Sequence, residues 1–160
     1  MAEEKAEDAK RITISKIYLK DFSFESPRSP GVFQKGEWKP QTNLNLRSNH
    51  NAIEDDLHEI VLTITVEAKE EDDTLFLVEL SQAGLFEIAG YNKDEFGAII
   101  ASFCPNILFP YAREQLATAV QKGGFPEFVL QPINFDALYM QSLQQAQAQA
   151  QAQAEDAEKH

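Results

Sequence analysis

The chain has 160 residues, of which 43% are hydrophobic and 25% charged, and its 26 acidic and 14 basic residues give a formal net charge of −12. This length fits one ordinary domain. The acidic balance argues against a protein that binds nucleic-acid backbones or anionic lipid, because both functions need clustered Lys and Arg. The single cysteine, Cys104, excludes a disulfide within one chain.

Both ends of the sequence are polar. Residues 1–10 form an acidic arm without an apolar core, which predicts disorder and not a secretory signal peptide. Residues 144–160 are a Gln/Ala-rich segment of low complexity, for which we predict a flexible tail, because a helix without an apolar stripe has nothing to bury. No apolar run approaches the roughly 20 residues that span a bilayer. We therefore expect a cytoplasmic protein whose folded domain is residues 11–143.

Period-two alternation predicts four strands, at residues 12–25, 41–48, 59–67 and 74–81. At the end of the first strand, Phe22 and Phe24 should face inward and Asp21 and Glu25 outward. The middle of this strand has mixed phase, which indicates a bulge or burial on both faces. In the fourth strand, Leu77 and Glu79 take the phase opposite to that of Phe76, Val78 and Leu80.

Two connections have distinct compositions. The acidic link at residues 68–73 suits a hairpin between the third and fourth strands, with a solvated tip instead of a calcium loop. The segment from Pro27 to Pro40 is too rich in proline for a central strand, so we expect a long irregular crossing segment. It nevertheless carries Val32, Phe33 and Trp38.

Helical signals begin at Asn92, which with Glu95 forms a candidate capping box. Phe96, Ile99, Ile100 and Phe103 follow at i, i+3, i+4 and i+7 and predict one apolar stripe. Pro105 should break or restart the helix, the next helix should stop at Gly123–Gly124, and Asn134 should cap a last one. Because strands precede helices, we predict an α+β fold in which helices pack on one face of a four-stranded antiparallel sheet.

The sequence nominates no active site. Cys104 lies in an apolar stretch, and the candidate bases His50 and His58 fall in what we expect to be a polar loop region. Neither metal-ligand spacing nor a phosphate-binding glycine motif is present. We therefore expect no enzymatic activity, no cofactor and no metal. The surplus of eleven Phe, four Tyr and one Trp favours oligomeric interfaces or ligand grooves.

Four strings carry a family resemblance: YLKDFSFESP from Tyr18, GVFQKGEWKP from Gly31, FCPNILFPYARE from Phe103 and PINFDALYMQ from Pro132. In this order and spacing they resemble the SecB family of protein-export chaperones over residues 12–143, about four-fifths of the chain. The resemblance implies a homotetramer, a dimer of dimers, that holds unfolded precursor proteins without ATP and passes them to the translocation ATPase SecA. The Gln/Ala tail departs from the family pattern.

The resemblance also implies site residues. SecA docking falls on Asp21, Glu25, Leu77 and Glu79, which share the outward phase if their strands belong to one sheet. Client peptides should bind in grooves whose candidate residues are Val32, Phe33, Trp38, Leu44, Leu46, Tyr139, Met140 and Leu143. The stripe Phe96, Ile99, Ile100 and Phe103, with Cys104, should lie at a subunit interface. The resemblance implies neither nucleic-acid binding nor direct membrane insertion.

Two other functions stay open at this point. One is a SecB-like chaperone dedicated to a toxin–antitoxin pair instead of bulk export. The other is a scaffolding tetramer without a client. The combination of the docking acids with the motif around Cys104 favours export over the toxin–antitoxin role.

Overall fold

Alternating apolar residues build one sheet in the computed structural model, which describes residues 9–159. The strands are β1 (Arg11–Glu25), β2 (Gln41–Glu54), β3 (Leu57–Glu70) and β4 (Asp73–Ala89). They pair antiparallel in the order β1-β4-β3-β2. The predicted antiparallel sheet of four strands is confirmed, although β2, β3 and β4 run further than the alternation indicated.

The two faces of the sheet differ in polarity. Ile60, Leu62 and Ile64 of β3 and Val78 and Leu80 of β4 are fully buried on the face that packs against helix, as the alternation predicts. The opposite face is here called the open face. It carries hydroxyls and carboxylates that pair across strands, such as Thr63 with Ser81. This separation leaves one side of the sheet free for polar contacts.

Two bulges explain the mixed phase of β1. The register with β4 shifts between Ile14 and Lys16 and again between Leu19 and Asp21. Each bulge inserts one residue, and a one-residue shift moves every following side chain to the other face. The apolar phase therefore changes twice, and Phe22 and Phe24 return to the helix-covered face, as predicted.

The helical elements are a 3₁₀ turn (Gly31–Gln34), α1 (Lys93–Ala98), a π-helical segment (Ile99–Phe103), α2 (Cys104–Lys122) and α3 (Phe135–Glu158). The predicted caps are confirmed. Asn92 accepts from the backbone of Glu95 at 2.8 Å while the Glu95 carboxylate accepts from the backbone of Asn92, and Asn134 accepts from the backbone of Ala137 at 3.0 Å.

Of the two outcomes predicted for Pro105, a break is wrong and a restart is confirmed, because α2 begins at Cys104. The chain stays helical from Lys93 to Lys122, and the π-helical segment leads directly into α2. Pro105 is the second residue of α2, and it has no N–H to donate to the turn before it. The irregular turn of the π-helical segment lies directly before this proline. The π-helical segment has more than 3.6 residues per turn. The residues of the predicted apolar stripe therefore do not all point to one side of the helix.

The core lies between the sheet and α2. Leu108, Ala112, Leu116 and Val120 of α2 are almost fully buried. Helix and sheet approach closely at Gly84, where a Cβ atom would lie 3.1 Å from the side chain of Leu108 and 2.6 Å from the ring of Phe86. A larger residue at this position would push the helix away from the sheet.

The expected loop placement of the two histidines is wrong. His50 lies in β2 and His58 in β3, where His58 is 8% exposed. Both side chains point to the helix-covered face. In β2, His50 lies between the open-face positions of Asn49 and Asn51, and in β3, His58 has the same phase as the buried Ile60. The prediction stopped β2 at residue 48, before the polar half of a strand that has little apolar content.

The terminal segments are described only in part. Residues 1–8 of the predicted acidic arm lie outside the described residues, and Lys10 pairs with Glu95 at 2.8 Å. Helix α3 continues through the Gln/Ala-rich segment to Glu158 with its side chains exposed. The flexibility of this tail stays a prediction. Within residues 9–159, the helices lack the combination of length and apolar character that crossing a membrane requires.

Candidate functional site

An aromatic cavity lies beside the crossing segment at one end of the sheet. The volume of this aromatic cavity is about 550 Å³. The residues that shape it most are Phe33, Trp38, Leu75, Phe76, Phe125 and Phe128. A cavity of this size, lined largely by rings, is suited to an apolar side chain of a ligand.

Phe125 is the centre of the aromatic cavity. Its ring centroid lies 5.0 Å from that of Phe76, 5.3 Å from Trp38 and 5.5 Å from Phe33. These separations are those of favourable aromatic pairs. Gly124 makes this placement possible, because its positive φ of 89° turns the chain back after α2. The sequence therefore brings rings from β4, the crossing segment and the chain after α2 to one place.

The crossing segment forms a fixed wall of the cavity. The indole Nε1 of Trp38 donates to the carbonyl of Val32 at 3.0 Å, and Val32 itself is 4% exposed in the core. Arg28 pairs with Asp73 at the start of β4. The buried Val32 side chain and the Arg28–Asp73 pair thus attach the crossing segment to the rest of the domain, and the Trp38 hydrogen bond fixes the indole within the segment.

Of the eight predicted groove residues, Phe33 and Trp38 line the aromatic cavity. Val32 is not part of the aromatic cavity lining: it is 4% exposed and lies beside a smaller cavity near Arg28 and Asp73, so its contact with a client stays a prediction. Leu44 and Leu46 lie on the helix-covered phase of β2, and Leu44 is exposed. Tyr139, Met140 and Leu143 lie on α3, apart from the cavity lining, with Met140 and Leu143 exposed.

The sequence analysis missed Phe125, Phe128 and Phe76 as cavity residues. Phe76 had been assigned only to the inward phase of its strand. Phe125 and Phe128 follow the paired glycines that end α2, in an extended stretch. Two phenylalanines just after a helix end, outside any helix or strand, were the sequence signal that could have indicated a cavity wall.

The predicted docking residues do share the open face. Glu25 pairs in register with Leu77, Ser23 with Glu79 and Asp21 with Ser81. Asp21 and Glu25 are exposed, whereas Leu77 and Glu79 are half-buried. The Glu79 carboxylate accepts from the Thr65 hydroxyl at 2.9 Å, which fixes its direction. Three carboxylates therefore stand on a rigid surface around one apolar side chain.

Glu59 anchors a polar network on the same face. Its carboxylate accepts from the Tyr18 hydroxyl, from Lys20 at 2.9 Å and from Asn51 at 3.0 Å. The Tyr18 hydrogen bond, followed by that from Lys20, lowers the pKa of Glu59 to about 2, and burial raises the pKa of Tyr18 to about 12. Because the donors come from β1 and β2, the two outer strands, while Glu59 lies in β3, this network ties the outer strands together across the sheet.

We expect Glu59→Gln to lower the free energy of unfolding by about 2 kcal/mol at pH 7, because a charged acceptor of three hydrogen bonds is lost. The depressed pKa means that Glu59 stabilises the fold fully above its ordinary value of 4.5 and loses that contribution as the pH falls toward 2. Urea titrations of both proteins from pH 7 to pH 2.5 should therefore converge. A constant difference over that range would contradict the assignment.

The predicted interface stripe divides in the structure. Ile99 and Cys104 are buried within the subunit, Phe96 and Ile100 pack partly on the core, and Phe103 is 45% exposed. Burial raises the pKa of the Cys104 thiol to about 12, which agrees with the apolar stretch in which the sequence places it. Ile99 and Cys104 can therefore support the predicted interface only from inside the subunit, and the position of the stripe at an interface stays a prediction.

A different set of apolar side chains is exposed on the edge strand β1 and the helices beside it. Ile14, Leu19, Phe22, Phe103 and Tyr111 are each at least 39% exposed. We call this set the β1–α2 band. Leu19 and Phe22 line a shallow cleft against the end of α2, and Leu19 also lines a second one beside Tyr111. An apolar band of this kind marks an interaction surface.

Metal chemistry finds no support in this geometry. Within residues 9–159, no three His, Cys, Asp or Glu side chains are grouped so that they could hold an ion.

Comparison with known proteins identifies the family. Residues 5–146 match the family model described as preprotein translocase subunit SecB. The protein-export protein SecB of Nitrosococcus oceani is 53% identical over 138 residues, which are 86% of this chain and 84% of that one. SecB of Hahella chejuensis is 48% identical over 98% of this chain and 99% of its own length.

A solved structure has the same fold. The SecB-like chaperone of Mycobacterium tuberculosis, in complex with a ChAD peptide from the HigA1 antitoxin, superposes with a TM-score of 0.62 over 82% of this chain and 91% of that one. Its sequence identity is only 18%, so the toxin–antitoxin alternative is not favoured over export. From the family match and the identities near one half, the chain belongs to the SecB family of protein-export chaperones.

Proposed function

We propose that the chain holds precursor proteins unfolded in the cytoplasm, without ATP, and delivers them to SecA. The aromatic cavity is the observation that carries this proposal. It provides a largely apolar binding site, whose polar lining side chains are Lys35, Thr42 and Glu127. Membership of a chaperone family agrees with the lack of an active site in the sequence.

Client binding combines side-chain and backbone contacts. Burial of one aromatic client side chain in the cavity contributes about 1.5–3 kcal/mol. Thr42 of β2 also lines the cavity, and β2 pairs only with β3 among the described residues, so its outer edge lies next to the cavity. An extended client can therefore place a side chain in the cavity while its backbone follows the edge. Leu44, Leu46, Tyr139, Met140 and Leu143 are proposed to extend the apolar surface.

SecA is proposed to dock on the open face through Asp21, Glu25, Leu77 and Glu79. A basic partner segment would be attracted by the three carboxylates, while Leu77 supplies an apolar contact at their centre. The aromatic cavity and this surface lie on different parts of the sheet. Client and SecA can thus be bound by one subunit at the same time.

Assembly into a dimer of dimers is proposed to use the β1–α2 band. The outer edge of β1 is unpaired among the described residues, and the band beside it exposes five large apolar side chains. Stable interfaces bury well over about 1,000 Å², which this band and the edge strand together can supply. Phe103 belongs to both the predicted interface and the exposed band.

The function is tested by the refolding of a chemically unfolded precursor. We expect the chain to prevent refolding and aggregation at near-equimolar ratio with no nucleotide, because binding needs no hydrolysis. Addition of ATP should change nothing. Refolding at the rate seen without the chain would contradict the holdase role.

We expect light scattering to give four times the chain mass of 18.0 kDa at micromolar concentration. Leu19→Asp should shift the mass to a smaller species, because it places a charge in the β1–α2 band. Ser23→Asp is the matched control on the open face of the same strand. A wild-type monomer, or equal effects of both substitutions, would contradict the proposed assembly.

A further inference from the structure

A histidine pair lies where α1 meets the sheet. His50 Nε2 and His58 Nδ1 are 2.9 Å apart, so one ring nitrogen donates a hydrogen bond to the other. The edge of each ring contacts Phe96 of α1, with centroid separations of 5.7 Å for His50 and 4.9 Å for His58. The paired rings therefore form the surface on which α1 rests.

The hydrogen bond between two imidazoles depends on their protons. A neutral pair has one donor and one acceptor at the contact. One added proton is tolerated, because a charged ring can still donate to a neutral one. Two added protons leave two donors facing each other at 2.9 Å with like charges. The contact must then open, and the rings can no longer support Phe96 in the same position.

Helix α1 connects the pair to α3. Gly97, next to Phe96, lies against Tyr139 of α3, where a Cβ atom would be 2.9 Å from the Tyr139 hydroxyl. Ser102 of the following π-helical segment donates to Asp136 in the first turn of α3. A displacement of α1 would therefore remove support from the start of α3.

The charged groups around the pair do not neutralise a second proton. On β3, Glu59 points to the open face and is held by Lys20, and on α1, Glu95 is held by Lys10. Glu87 of β4 lies near Arg11. The other charged groups at this end of the sheet are Lys93 and Asp94 of α1 and Glu54, Asp55 and Asp56 at the β2–β3 turn. The pKa of His50 is lowered, first by burial and then by His58, so none of these carboxylates outweighs those two effects.

We propose that His50 and His58 form a proton-operated latch that holds α1 and the start of α3 on the sheet and opens when both rings are charged. The direction of the pH effect follows from the lowered pKa of His50, because a ring that resists protonation in the folded state destabilises that state once it is charged. The latch is closed above the ordinary histidine value of 6.5 and opens as the pH falls below it. Acidification would thereby loosen α1 and the start of α3, while the core between α2 and the sheet stays folded.

The test is hydrogen exchange on the full chain at pH 7.5 and pH 5.0, corrected for the intrinsic pH dependence. We expect exchange in residues 93–103 and 135–143 to become about tenfold faster at pH 5.0, with no change in residues 108–120. His50→Gln should abolish the acid effect, because its amide oxygen can accept from His58 in either charge state. An equal acid effect in this variant would overturn the proposal.

A second measurement needs no variant. Imidazole signals of the wild-type chain should show one ring of the pair titrating below the ordinary value, with His160 as an internal reference. Two rings that titrate independently near 6.5, with unchanged exchange in residues 93–103, would also overturn the latch. Neither experiment needs client or SecA, so failure here is distinguishable from failure of the proposed chaperone function.

Discussion

Trp38→Ala should weaken the binding of an unfolded client by about 2 kcal/mol, or roughly 30-fold in Kd. The indole forms the wall of the aromatic cavity, stands 5.3 Å from the ring of Phe125 and bonds to the Val32 carbonyl. Removing it takes away apolar contact area and loosens the crossing segment. Titration calorimetry with an unfolded precursor that does not refold measures the change.

Trp38→Phe is the matched control for this prediction. It keeps an aromatic ring against Phe125 but loses the hydrogen bond to Val32 and part of the ring area, so client affinity should fall by about threefold, much less than for alanine. The affinity for SecA should be unchanged in both variants, which also shows that they are folded. If alanine and phenylalanine weaken client binding equally, the cavity is not where client side chains bind.

Combined replacement of the open-face acids, Asp21→Asn, Glu25→Gln and Glu79→Gln, should weaken SecA binding at least tenfold, about 1.4 kcal/mol. A single exposed ion pair contributes only about 0–1 kcal/mol, but three carboxylates on a rigid sheet act on the same partner segment. The loss should shrink at high salt, because screening already weakens the wild-type contact. Client binding should stay near the wild-type value.

The β2–β3 turn offers a control with the same change in charge. Glu54→Gln, Asp55→Asn and Asp56→Asn also remove three negative charges, but at the far end of the sheet from Glu25. If both triple variants lose SecA binding equally, the effect comes from net charge and not from the open face. If the open-face variant loses client and SecA binding together, the separation of the two surfaces is wrong.

Local patterns predicted most of the fold. Alternation identified the four strands. The side chains of Asn92 and Asn134 and the backbone N–H groups of Gly123 and Gly124 set helix ends through short-range hydrogen bonds. The pattern failed where tertiary contacts decide. The second half of β4, from Gln82, was missed because Ala83 and Gly84 have little strand propensity and are stabilised by neighbours on both sides.

The candidate site was predictable only in part, for a physical reason. Asp21, Glu25, Leu77 and Glu79 could be placed on one face because strand alternation fixes direction once the pairing is right. The aromatic cavity joins rings that are 92 residues apart in the case of Phe33 and Phe125. Sequence periodicity reports only contacts between residues close in the chain. The family resemblance therefore suggested the crossing segment as a client site, and the rings of Phe76, Phe125 and Phe128 opposite it became visible only in the structure.

The position of Trp38 gives the protein a built-in optical signal. It is the only tryptophan of the chain, and its ring is part of the cavity wall, half-buried beside Phe33 and Phe125. Indole emission responds to the polarity of its surroundings, and a side chain that enters the cavity replaces water next to this ring. Occupancy can therefore be followed by fluorescence at selective excitation of tryptophan, without attaching a dye, in each unmodified subunit.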